Sequence, residues 1–424
     1  MVCTPAPDPR PRTALTAILA GLLVGLPGCV TESGAKRPPI VTTKRDPSAP
    51  LEINGPVARP AAGQSATTRL RVLLQPLATL AFDGQTLPLT SPDGRLLVLQ
   101  RGEAPTWPTV LALPGASPAT GAALALYDLT SSPVAEVNFA TPPEPGLMLG
   151  RSADSAGFLV ERHNPDGSRW IGKVSWTGRT LTWLVRDGNV NAHGVLSPAG
   201  DLVYSRRAPS TPLSELVVLT RDSRTQVVTE PATSLVFPSF GGDGQELFAF
   251  GLAQSGTEVL AWGLPTGGPR PVGPLRARRQ IAGNADAALA YQAVAASQTP
   301  TPGASPEAQG FVFFHPTLRR MTRFLAAQAS LDLLPADSVA AVRVPALATG
   351  GYLCTTARGL IFSPDPPAGG TRTIEARLLD VPHIARATTQ PDRPAVLVGP
   401  VPKASAPTIS VMRLLPEPDE AAKP

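Results

Sequence analysis

Between Leu70 and Leu415, apolar residues come in short runs cut off by turn-forming clusters, and no 3.6-residue periodicity lasts long enough for a convincing helix. The clearest run is Leu96-Leu97-Val98-Leu99, which directly follows Ser91-Pro92-Asp93-Gly94-Arg95. Pro92 presets φ for a type I turn, Asp93 offers an acceptor to the local backbone, and Gly94 tolerates positive φ as the chain reverses. Four consecutive apolar residues place apolar side chains on both faces of a strand. Such a strand has to lie between two other layers.

The same grammar recurs. Turns of this type stand at Ser152-Ala153-Asp154-Ser155, Ser197-Pro198-Ala199-Gly200, Gly241-Gly242-Asp243-Gly244, Gly283-Asn284-Ala285-Asp286, Pro335-Ala336-Asp337-Ser338 and Gln390-Pro391-Asp392-Arg393. Strands are predicted after them at Gly157–Val160, Leu202–Tyr204, Glu246–Phe250, Ala288–Tyr291, Val339–Val342 and Ala395–Val398. Start-to-start steps are about 61, 45, 44, 42, 52 and 55 residues, the longer ones carrying Pro/Gly-rich insertions at 102–121, 140–146, 297–309 and 363–370. Further strand pairs such as Leu216–Leu219 and Thr225–Thr229, joined by Arg221-Asp222-Ser223, fill each repeat. A lone four-stranded sheet leaves two apolar faces bare, so neighbours must stack, and closing the ring covers the last face. The expected fold is all-β: a single β-propeller of about seven four-stranded blades, six or eight being possible, over residues 69–415. Val72-Leu73-Leu74 is expected to complete a blade begun by Ile409–Met412, and residues 416–424 form a flexible tail.

Composition agrees with many short elements: 50 Pro and 38 Gly among 424 residues, with 16% charged and 5% aromatic. Only five of the 37 cations are lysine, which reads as coding bias rather than as a nucleic-acid signature. The Arg276/Arg278/Arg279 and Arg319/Arg320/Arg323 clusters are expected on solvated strand edges, where charge blocks edge-to-edge pairing. Three cysteines are too few for a disulfide framework, and Cys354 is expected to be a buried small side chain on a strand.

Residues 1–28 have the parts of a secretory signal: Arg10 and Arg12, an apolar run from Ala14 to Leu26, then Pro27-Gly28. Thirteen apolar residues fall short of the about 20 needed to span a bilayer. Leu26-Pro27-Gly28-Cys29 resembles the lipobox of bacterial lipoproteins, Pro27 being the less usual member. That resemblance implies cleavage before Cys29, fatty acylation of its thiol and a membrane partner held through the lipid. Long acyl chains, each methylene contributing about 0.8 kcal/mol, make such attachment effectively permanent. Val30 rather than Asp after the cysteine resembles the sorting preference for the outer membrane, with the body facing the periplasm. Loss of two Arg and one Asp with the leader takes the net charge from +5 to +4, too little to dictate a partner. Residues 29–68, with six prolines after Val30 and almost no apolar pattern, read as a lipidated, disordered tether reaching roughly 35 Å on average.

Ser-Pro-Asp-Gly followed by Arg-Leu-Leu-Val resembles the WD-like repeat of bacterial periplasmic propellers of the Tol system, with the nearest copies at 91 and 197. The resemblance covers about 70–415 and concerns packing, so it implies the fold more than a function.

Candidate chemistry is sparse. No Gly-x-Ser-x-Gly elbow is present, and His163, His193, His315 and His383 lack metal-ligand spacing, each reading as a loop or strand-edge residue. Asp187-Gly188-Asn189-Val190-Asn191 alternates oxygen side chains like a calcium loop, but Ala192 and Pro198 stand where such a loop needs Gly and Glu. A hairpin turn after Leu181–Val185 is the better reading. No catalytic residue, metal or cofactor is expected. Trp170, Trp176 and Trp183 lie in one repeat, and core packing accounts for most of them. The binding surface, if there is one, is expected to include Arg169, Trp170, Arg186 and His193. Together these readings predict an envelope lipoprotein whose propeller is a non-catalytic platform for another envelope protein or a polysaccharide, without nucleic acid. The alternative is a propeller enzyme, a glycan lyase or hydrolase, with its site at the axial channel; passive surface structure is a third.

Overall fold

The computed structural model describes residues 51–53, 70–83, 86, 88–102, 123–140, 146–197, 200–241, 246–264 and 272–282. Beyond these it describes 311–315, 320–325, 330–333, 338–343, 351–356, 359–364, 374–376, 386–387, 395–400 and 405–416. The chain divides into residues 1–46 and 47–424, and every described residue belongs to the second part. The leader, Cys29, the turn at 283–286, the strand expected at Ala288–Tyr291, the tail after Pro416 and His383 lie outside the described residues.

All the described regular structure is β-strand. The strands fall into seven antiparallel modules. Modules one to four are Leu89–Val137, Leu147–Val185, Val190–Val228 and Ser234–Ala282. Modules five and six are Phe311–Leu333 and Ser338–Ala376. The seventh combines Arg386–Ala387, Ala395–Pro400 and Thr408–Pro416 with the N-terminal strand Leu70–Ala81. A single parallel bridge, Val190 to Arg169, joins the second and third modules into one eight-stranded sheet. Strand order within modules one, three, four and six is a plain meander, which is the arrangement of a propeller blade.

The turns that punctuate the sequence build these sheets. Gly94 donates its N–H to the Ser91 carbonyl at 2.8 Å with φ 66°, and Leu96 donates to Ser91 Oγ at 2.9 Å, so the turn delivers Leu96–Arg101 in register. Asp154 Oδ1 accepts from the N–H groups of Ala156 and Gly157 ahead of Gly157–His163. Leu97, Val98 and Leu99 are each fully buried, as a strand apolar on both faces requires. On one face Leu97 and Leu99 meet Val396, Val398, Ile409 and Val411 of the seventh module. On the other, Val98 meets Leu147, Leu149 and Phe158 of the second. Similar clusters join the second module to the third through Leu159, Ile171, Leu202 and Val217, and the third to the fourth through Val203, Leu216, Leu247 and Leu260. The fourth and fifth meet through a phenylalanine cluster in which Phe248 and Phe311 stack at 5.6 Å. Strands of the fifth lie against the sixth, and of the sixth against the seventh. Each large apolar side chain so buried contributes about 1.5–3 kcal/mol, and most of them depend on a neighbouring module.

Several expectations need correction. Leu51–Ile53, placed in the tether by composition, pairs with Leu70–Val72 as a fifth strand on the seventh module. Asp187-Gly188 does not close a hairpin: Leu181–Val185 pairs back onto Arg169–Ser175, and the chain then crosses to the next module at Val190. The turn at 335–338 leads into the first strand of its module, Ser338–Arg343, whereas turns in the first four modules lead into the second strand. Arg276, Arg278 and Arg279 are exposed on the edge strand Leu275–Ala282 as expected, but Arg323 is buried on Arg320–Leu325, the middle strand of its module. Cys354 is buried.

Candidate functional site

The four residues expected to form one binding surface are divided by strand alternation. Arg169 and Trp170 are neighbours on Arg169–Ser175 and point to opposite faces. Trp170 is half-buried beside exposed Arg186. The Arg186 guanidinium lies 4.4 Å from the Trp170 ring centroid and that of Arg162 5.7 Å, while Trp183 meets the ring edge-on at 5.5 Å. The indole N–H is committed to the Asp187 carbonyl at 3.0 Å. Asp187 in turn accepts from the Asn189 backbone at 2.9 Å and from the Asn191 side-chain amide at 2.7 Å. Burial raises its carboxyl pKa, yet these hydrogen bonds and Arg206 outweigh that and leave it below the usual range. Amide donors thus take up both carboxylate oxygens of Asp187. The result is a face with two cations fixed on an aromatic ring. Trp176, by contrast, is core: it packs on Phe158 at 4.8 Å and donates to the Asp154 carbonyl at 2.8 Å.

Arg169 and His193 face the other way, into a buried polar seam between the second and third modules. Its frame is the first strand of each module, and each of those strands carries a bulge. Gly150, Arg151 and Ser152 stand opposite the single residue Leu159; His193 and Gly194 stand opposite Tyr204; Phe237 and Pro238 stand opposite Ala249. His193 and Phe237 take φ of 60° and 50°, a region that costs a bulky residue on the order of 1–3 kcal/mol. The bulges re-aim their side chains toward one another across three modules. The His193 and Phe237 rings lie 3.8 Å apart, and the Arg151 guanidinium sits 4.8 Å from the Phe237 centroid. Modules two and four flank module three, so residues of both meet only on the inner side of the array.

Bulged strands release backbone N–H groups from the ladder, and the preceding module supplies acceptors. Gln100 Oε1 accepts from Leu149 at 2.8 Å, Glu161 Oε1 accepts from His193 at 3.1 Å, and Ser152 Oγ accepts from Leu196 at 3.0 Å. Gln100 and Glu161 are the fifth residues of their strands, Leu96–Arg101 and Gly157–His163, so the repeat places the same device twice. Around Arg169 the seam also holds His163, its cross-strand partner, and Asn191, whose amide donates to the Arg169 carbonyl at 2.9 Å. Burial pushes the Glu161 carboxyl up, opposed by Arg169, Arg151 and the N–H groups of His193 and Gly194. Burial also takes His163 down to about 3 and His193 well below its usual value, with the arginines adding to both shifts. Arg151 is lowered to about 10, burial prevailing over Glu161. Among the described residues, Glu161 Oε2, Asn191 Oδ1 and His163 Nε2 have no hydrogen-bond partner.

Ser205 Oγ lies 3.4 Å from His193 Nδ1, but Glu161 holds the His193 backbone rather than its ring, so this is not the relay of a serine hydrolase. Sequence reasoning missed Glu161, Arg151 and Gln100, and met Asn191 only as part of the calcium-like stretch. A carboxylate and an amide closing otherwise apolar strands, at matching places after their turns, were the available signal. It also expected His163 and His193 in loops or at strand edges, whereas His163 is buried at the end of its strand and His193 is buried within a first strand.

Strand order and stacking together define an all-β protein of the propeller class. No protein-family model matches the chain, and no curated protein matches it. Among solved structures it is similar to TolB from Acinetobacter baumannii, at 16% identity over 46% of this chain and 43% of that one, TM-score 0.32. It is similar to the Dos1 propeller at 9% identity over 80% and 95%, TM-score 0.44, and to a puromycin hydrolase at 16% over 77% and 58%, TM-score 0.40. The chain spans less than half the length of that TolB, 43%. A fold of this class by itself leaves binding and catalysis both open.

Proposed function

We propose that the chain is a cell-envelope lipoprotein, anchored through Cys29 in the outer membrane and facing the periplasm, whose seven modules close into a seven-bladed propeller that serves as a non-catalytic binding platform. The observation that carries this reading is the exposed face in which Arg186 and Arg162 are stacked on Trp170. Two cations held on a half-buried indole have already lost much of their rotamer freedom, so contact with an envelope protein or polymer costs little further ordering. Arginine and tryptophan are also the residue types that dominate binding energy at interfaces. The test is in-cell crosslinking of tagged full-length protein followed by mass spectrometry, beside Cys29→Ser, Trp170→Ala and Arg186→Ala. The expected result is near-stoichiometric capture of one envelope component, lost in Cys29→Ser and reduced at least about tenfold in the two face variants, with the fold intact. Capture that ignores all three substitutions refutes it. A second reading, a glycan lyase or hydrolase, draws on the buried Glu161 between Arg151, Arg169 and two histidines. Turnover of envelope glycans by purified protein, abolished in Glu161→Gln, decides for it.

A further inference from the structure

The seam around Arg169 has unfilled hydrogen-bonding capacity of a particular kind. Glu161 Oε2 and Asn191 Oδ1 are acceptors without a donor, and both residues are at most 1% exposed. His163 Nε2, 7% exposed as a residue, is likewise without a partner. A buried polar atom left unpaired costs about 1–3 kcal/mol, and three of them in one place call for an occupant.

Its chemistry follows from the walls. A ligand meeting Glu161 Oε2 and Asn191 Oδ1 has to donate two hydrogen bonds. An ammonium group donates, but the charges of Arg151 and Arg169, which act on Glu161 and His193 alike, disfavour a second buried cation. A carboxylate or phosphate diester suits the arginines but has no proton to give to Glu161. A hydroxyl does both: it donates to a carboxylate or amide oxygen and accepts from a guanidinium or an imidazole N–H. Two acceptors on neighbouring modules, Glu161 bonded to the His193 N–H and Asn191 to the Arg169 carbonyl, ask for two hydroxyls on one ligand. The His193 and Phe237 rings, 3.8 Å apart and both buried, pack on each other and close the seam toward the fourth module. Arg151 keeps part of its side chain open to solvent while its Nε and Nη1 are buried, which places the entrance there.

We propose that this seam binds two hydroxyls of a neutral sugar, with Glu161 and Asn191 accepting from them and Arg151 or His163 donating to them. The site is separate from the Trp170 face and does not depend on it. The test uses full-length protein in detergent, with methyl α-glucoside and mannitol as probes and acetate and methylamine as controls. Saturation-transfer NMR reads binding, and hydrogen–deuterium exchange reads its place. The expected outcome is transfer to methyl α-glucoside, competition by mannitol, none by acetate or methylamine, and slowed exchange in 157–163 and 190–196. Affinity falls about tenfold or more in Glu161→Gln, whose amide keeps the acceptor for His193 but turns the other oxygen into a donor. A longer neutral oligosaccharide that competes as well as the monomer identifies a glycan end as the source; one that fails to compete identifies a free sugar. Absence of binding by the wild-type chain means that water fills the seam and overturns the proposal. So does equal binding by folded Glu161→Gln, or protection confined to the Trp170 face. If Glu161→Gln does not fold, the exchange map of the wild-type chain alone decides.

Discussion

His163 ends its strand with a ring that burial and Arg169 keep from protonating, and this has a consequence for acid stability. Its folded pKa is about 3, against 6.5 for the ordinary residue. Between those values the unfolded chain holds a proton that the folded chain does not, so acidification through that window favours unfolding. His193, lowered in the same direction, adds to the effect; Glu161, whose pKa is raised, acts in the opposite sense as the pH falls through its range. From about pH 7 to about pH 5 the His163 shift removes about 2 kcal/mol of stability. In His163→Gln that loss is expected to shrink by about this amount, as measured by urea denaturation at the two pH values. Parallel pH profiles for variant and wild type refute the assignment.

At the scale of the element, the first strands of the second and third modules are the unusual ones. Their bulges free N–H groups, and side chains of the module before each take up neighbouring N–H groups. Gln100→Leu removes the acceptor of the Leu149 N–H at the price of an orphaned donor, about 1–3 kcal/mol, offset in part because Gln100 Nε2 itself has no partner among the described residues. A net loss of about 1 kcal/mol is expected in urea unfolding, with Gln100→Glu closer to wild type; an unchanged midpoint in Gln100→Leu counts against the role. This element level also separates what the sequence made legible from what it did not. The second strands were legible because an Asp- or Gly-bearing turn and an unbroken apolar run, as in Ser91–Leu99, are local signals. The first strands, such as Val190–Leu196, were not. Their polar residues satisfy partners 30 or more positions away, as His193 does with Glu161 at a separation of 32. Backbone φ at His193 is imposed by packing rather than by residue type. The candidate surface was half legible for the same reason: Trp170 and Arg186 were visible as an aromatic and a cation at a turn, while Arg169 and His193 belong to a seam that tertiary pairing creates.

For the whole molecule the decisive pairing is Leu70–Ala81 with Thr408–Pro416. It brings the two ends of the body into one sheet, and a covalent link there should hold the body together. Thr79 and Ser410 are cross-strand partners, so Thr79→Cys with Ser410→Cys places two thiols opposite each other. Oxidised protein is expected to gain about 2–4 kcal/mol over its reduced form, seen as a higher melting temperature that dithiothreitol reverses. Failure of the two thiols to join in the folded protein under oxidising conditions argues that the two strands are not neighbours in solution.

That same pairing also sets a schedule. Leu74 lies opposite Leu414, 340 positions later in the chain, so the first of these strands to be made waits for its partner until the residues between them have been made. Until Thr408–Pro416 arrives, Leu97 and Leu99 of the first module lack half of the surface that covers them. The sheet that joins the two ends of the body is therefore completed only once Thr408–Pro416 has emerged, and until then the growing body stays open.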